Sequence, residues 1–138
     1  MTLSLQQQDD LIVATLRRAL DGLIAVYRFG STAHGTESAG SDTDIAVLTR
    51  TRIPADVRFD LQERLAASLG RDVDLVDLAS ASPVLAMQAV GRGLLLHDGD
   101  SESRGRFEDR TFGAYARLNE ERRGILERIA AEGTVYGR

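Results

Sequence analysis

Apolar positions along the chain change spacing several times, and each change predicts a new element. From Ser4 to Leu20 they fall on one stripe of a helix, with Ser4 and Gln7 forming a capping-box pattern and Gly22 as the stop. Leu23–Phe29 (LIAVYRF) is a short apolar, β-branched run, read as a buried strand. Small and polar residues fill Gly30–Ser41 as a turn, and Asp42–Thr49 (DTDIAVLT) is a second strand. Pro54 opens a second helix and Gly70 closes it. Arg71–Leu78 alternates as a third strand. Ser82-Pro83 caps a short helix reaching about Val90, and Leu94–His97 is a fourth strand. A polar loop (DGDSESRG) then leads into a long helix from about Arg106 to Ala131, on which Phe112, Tyr115, Leu118, Arg122, Ile125 and Ile129 keep helical spacing, although Gly113 and Gly124 weaken it. Strands alternating with helices predict an α/β (α+β) fold, with a small mixed sheet of about four strands covered by helices.

Composition narrows the chemistry. The chain has 138 residues, 43% hydrophobic and 28% charged, which is material for one domain over 1–138 with an ordinary core. It contains no Cys, and all 17 basic residues are Arg. Thiolate zinc sites, cysteine nucleophiles, Schiff bases and a Walker A lysine are therefore excluded. The only histidines are His34 and His97, too few for a three-histidine site. A net charge of −4 argues against bulk nucleic-acid affinity and suits a basic partner. No apolar run is long enough for a membrane span and the N-terminus has no leader pattern, so a cytoplasmic location is expected. Carboxylates, hydroxyls, backbone amides, arginine and a bound cation remain.

The candidate chemistry lies in FGSTAHGTESAGSDTDIAVL. Gly30 has no Cβ, so a phosphate can approach its backbone, and Ser31 offers a hydroxyl and an amide at the same turn. Asp42 and Asp44 stand two apart in a strand and so project from one face. Asp74, in the middle of the third strand, joins them if the two strands are neighbours. Such anions repel by about 1–4 kcal/mol at contact across surface-like dielectrics, and a divalent cation relieves this. All-oxygen ligands favour a hard ion, Mg²⁺ or Mn²⁺. A phosphate cradle beside a carboxylate metal site suits in-line displacement on a nucleoside triphosphate. The other acidic positions read as structural: Asp72 and Asp77 as solvated, and Asp98–Glu102 as a turn that lacks the glycine of a calcium loop.

Gly30-Ser31, then Asp42-x-Asp44, then Asp74 on a later strand, together resemble the minimal nucleotidyltransferases of the polymerase-β-like superfamily. The stretch VDLVDLASASPVLAMQAVGRGLLLHDG is similar to the downstream part of MntA-type antitoxins of HEPN/MNT toxin–antitoxin pairs. The resemblance runs from about Leu11 to Arg110 and implies a palm-like sheet. It also implies a reaction: Mg²⁺-dependent transfer of AMP from ATP to a tyrosine of a HEPN ribonuclease toxin, with release of pyrophosphate. Carried over by position, Gly30 and Ser31 contact the triphosphate, Asp42 and Asp44 ligate metal, and Asp74 ligates a second metal and helps deprotonate the attacking hydroxyl. The turn departs from the family's arginine-bearing GSRARG, since Thr32 and His34 replace two cations, and Arg28 and Arg50 are the available substitutes. Two alternatives stay open: a binding-only antitoxin with a relic nucleotide site, and a small-molecule nucleotidyltransferase.

Overall fold

A computed structural model describes residues 3–30 and 42–131. The elements follow the expected order: α1 (Leu5–Ala19), β1 (Leu23–Phe29), β2 (Thr43–Thr49), α2 (Ala55–Leu69), β3 (Val73–Asp77), α3 (Pro83–Arg92), β4 (Leu94–Asp98) and α4 (Ser101–Ala131). Local chemistry sets several boundaries. The Ser4 hydroxyl accepts the Gln7 amide while Gln7 reaches back to the Ser4 amide, which completes the capping box of α1. Ser82 caps α3, with Pro83 at its first position. Gly70 ends α2 in the left-handed region, at φ 68°.

The strands form one mixed sheet in the order β3-β2-β1-β4, in which β1 is antiparallel to β2 and β4, and β2 is parallel to β3. Each face is covered by a helix pair. Val26, Ile45, Val47 and Leu75 pack under Ile12 and Leu16 of α1 and Leu61 and Leu65 of α2. Tyr27, Phe29, Ala46 and Leu48 pack under Ala86 and Ala89 of α3, with Phe107 of α4 beside them.

Two expectations need correction. The last helix starts at Ser101, not near Arg106, and absorbs most of the polar loop. Asp100 is the reason: its carboxylate accepts the Ser103 amide and its carbonyl accepts the Arg104 amide, which caps the helix. The charged residues that looked like loop then pair one turn apart, Glu102 with Arg106 and Arg104 with Glu108. Asp77 is not solvated but 4% exposed. Its two oxygens accept the amides of Ile53 and Ala79, so it holds the approach to α2 and starts the 3₁₀ turn at Leu78–Ser80. Asp72 is exposed, as expected.

Candidate active site

The site is built at the end of the sheet where β1 stops and β2 and β3 start. In an antiparallel pair, residues opposite one another share a face. Phe29 lies opposite Asp44, and Arg28 opposite Ile45. Asp44 therefore projects from the α3/α4 face, in line with Ala46 and Leu48, while Thr43 and Ile45 point into the other core. In the parallel pair Asp44 lies opposite Asp74, which places both side chains on one face of adjacent strands whose backbones run about 4.8 Å apart. Asp42 lies two residues before Asp44, just outside β2, and the Thr43 amide bonds the Asp72 carbonyl at 2.9 Å to hold this entry against β3.

Electrostatics report the same convergence. Burial raises the Asp44 pKa above its ordinary value, and the charges of Asp74 and Asp42 raise it further. The ion pairs among the described residues engage none of Asp42, Asp44 and Asp74. Among the described residues no three carboxylate or imidazole groups already close on one point. The three side chains form an open acidic cluster, and their hard oxygen donors are of the type that suits a hard cation.

Gly30 belongs to this cluster. It leaves β1 with φ 73°, in the left-handed region. A Cβ there would fall on Oδ2 of Asp44 and 3.2 Å from its Cγ. Both conformation and space thus require glycine, and the backbone passes directly against the acidic group. Ser31, Thr32 and His34 lie outside the described residues.

Neither arginine proposed as a stand-in for the turn's missing cations can serve. Arg28 is fully buried on the opposite face, where its Nε and Nη2 donate to Oδ1 of Asp9 in α1 at 2.9 and 2.7 Å. Arg50 follows the far end of β2, about 20 Å of strand from Asp44, and pairs there with Asp100 at 2.7 Å. Arg104 is engaged by Asp98 and Glu108. The buried Asp9–Arg28 pair was missed from sequence, although a lone arginine inside LIAVYRF was its signal.

Comparison with known proteins identifies the family. Over 126 residues the chain is 38% identical to the protein adenylyltransferase MntA of Shewanella oneidensis, covering 91% of this chain and 90% of the relative. One chain of a crystallised toxin–antitoxin complex with AMP-PNP superposes with a TM-score of 0.80 at 38% identity, covering 88% of this chain and 98% of that one. A complex of the tri-AMPylated Shewanella oneidensis HEPN toxin with its MNT antitoxin matches with a TM-score of 0.76 at 35% identity, covering 91% and 98%. Residues 11–102 match the polymerase β nucleotidyltransferase domain, which spans the sheet and all three aspartates, and the chain belongs to that nucleotidyltransferase family.

Proposed function

We propose that this chain is one minimal nucleotidyltransferase unit over 1–138 and acts as an antitoxin, transferring AMP from ATP to a tyrosine hydroxyl of a HEPN ribonuclease toxin. The observation that carries the reading is the placement of Asp44 opposite Asp74, beside Asp42 and against Gly30. The relatives support the acceptor and the donor: one is named a protein adenylyltransferase, one complex holds AMP-PNP, and another holds an AMPylated HEPN toxin.

Each residue has a role. Asp42 and Asp44 would hold Mg²⁺, or Mn²⁺, with Asp74 ligating a second ion, and the metal would supply positive charge against the phosphates and the departing pyrophosphate. Gly30 lets the triphosphate approach the backbone, and Ser31 donates its hydroxyl and amide to it. Asp74, exposed on β3, takes the proton of the attacking hydroxyl. The acceptor oxygen forms a bond to the α-phosphorus as the bond from that phosphorus to the pyrophosphate oxygen breaks. The proton thus ends on a carboxylate, and the electron pair leaves with pyrophosphate. The setting proposed is the cytoplasm, where ATP is available; among the described residues no helix is long and apolar enough to cross a membrane.

A second reading is a binding-only antitoxin with a relic nucleotide site. It is favoured by the turn, where Thr32 and His34 stand in place of arginines and neither Arg28 nor Arg50 compensates. One experiment separates the two: incubation with labelled ATP, Mg²⁺ and a cognate HEPN toxin. Label on the toxin, absent with Asp42→Asn/Asp44→Asn, is expected. Equal labelling by the double variant, or toxin neutralised with no label at all, would refute the catalytic reading.

A further inference from the structure

The two edges of the sheet are treated differently. At the β3 edge, side chains from α2 occupy the outward backbone groups: the Gln62 carbonyl oxygen accepts the Leu75 amide at 2.9 Å, and Arg58 donates to the Leu75 carbonyl at 3.1 Å. Blocking an edge in this way is a common protection against unwanted strand pairing. Among the described residues none caps β4 similarly. That edge presents Leu94 and Leu95 at 43% and 42% exposure, where a solvated strand would carry polar groups. Between β4 and α1 runs an open groove of about 480 Å³, walled by Val13 and Ala14 and rimmed by Asp10 and, further along, Arg17.

The groove leads to the chemistry. Leu94 lies opposite Arg28, one residue before Phe29, and Phe29 lies opposite Asp44. Asp9, also on the groove wall, is the residue bonded to Arg28. The Leu94 end of the groove therefore lies on the α1 face of the sheet, two strand spacings, or about 10 Å in the plane of the sheet, from Asp44. A bulge in β4 between Leu95 and His97 breaks the ladder and limits new pairing to the stretch nearest that end.

We propose that β4 and this groove receive the acceptor-bearing segment of the protein substrate, as a short added strand. The inference rests on the proposed protein-modifying function. The segment is extended, places an apolar side chain against Leu94 and Val13, and carries a basic residue opposite Asp10. Three or four further residues at about 3.3 Å each bring its hydroxyl to the aspartates.

The test is steady-state AMP transfer to a cognate HEPN toxin by wild type, Leu94→Asp and Leu95→Asp, with AMP-PNP affinity and Tm measured on each. Because an edge variant can disturb folding, Ala14→Arg, which fills the groove from the helix side, is a second route. The expected result is a KM for the toxin raised at least tenfold, with kcat and AMP-PNP affinity within twofold of wild type. An unchanged KM in both β4 variants and in Ala14→Arg would overturn the proposal. So would variants that change only self-association, which would make the edge a contact between two copies. If wild type itself transfers no AMP, the proposed function fails, and that outcome differs from equal transfer by all four proteins.

Discussion

Gly30 and Asp44 compete for one volume: the position where Gly30 would carry a Cβ is taken by the Asp44 carboxylate, and the Gly30 backbone is left-handed. Gly70 provides the control, with φ 68° and nothing within 4 Å of a notional Cβ. Gly70→Ala should cost roughly 1–2 kcal/mol, the penalty of left-handed backbone alone, and leave AMP transfer intact. Gly30→Ala bears the same penalty and also displaces Asp44. Its Tm should fall further, and kcat/KM for transfer should drop about a hundredfold or more, as for a misplaced catalytic group. Thermal melts and transfer assays on both variants check this.

Asp44→Asn should make the metal-free protein more stable while abolishing transfer. Folded Asp44 holds its proton more tightly than the unfolded chain does, because of burial and then Asp74 and Asp42. Its ionised form therefore costs stability at neutral pH, and that cost is relieved as pH falls through the raised value. Relief of carboxylate repulsion on the order of 1 kcal/mol corresponds to roughly 3–5 °C in Tm for a domain of this size. In chelator, the variant's advantage should shrink as pH is lowered. Added Mg²⁺ should raise Tm for wild type and not for the variant. Melts across pH, with and without Mg²⁺, read both effects.

The Asp9–Arg28 pair is a stability element with a specific signature. Asp9→Ala leaves a fully buried guanidinium without its anion and should cost about 3 kcal/mol or more. The double variant Asp9→Leu/Arg28→Met removes both charges and should recover most of that loss. Denaturant unfolding of the two variants distinguishes a buried charge from ordinary packing, since loss of packing alone would make the double variant worse.

Acid sensitivity should arise partly at the start of α4. The Ser103 amide, then Arg50, then the Ser103 hydroxyl hold the Asp100 carboxyl below its ordinary value of 3.8. The Ser101 hydroxyl, followed by Arg104, does the same for Asp98. A lowered pKa means that the stabilisation is complete above about pH 4 and is lost as pH falls below it. Asp100→Ala should lower Tm at neutral pH and show a flatter Tm profile below pH 4. A parallel profile would remove Asp100 from the acid transition.

Much of the fold and part of the site could be read from residue order because local rules governed them. Alternation alone put Asp42 and Asp44 on one face, and strand context made Asp74 a candidate partner; register, with Asp44 opposite Asp74, is the non-local fact that sequence could only expect. The misreadings share a cause. Asp77 looks like any strand-end aspartate until the Ile53 amide arrives from another segment. Arg28 looked available because its partner Asp9 is nineteen residues away on a helix. The DGDSESRG stretch is polar enough for a loop, and only the Asp100 cap and its one-turn ion pairs make it helix. Ser31 lies outside the described residues, so its expected role rests on the proposal alone.

The most direct measurement is anomalous scattering from a crystal grown with Mn²⁺ and a non-hydrolysable ATP analogue. The expected result is a manganese peak bounded by Asp42, Asp44 and Asp74, with the triphosphate running against Gly30. A nucleotide bound elsewhere, or manganese ligated by none of the three aspartates, would contradict the assignment of this corner of the sheet as the catalytic site.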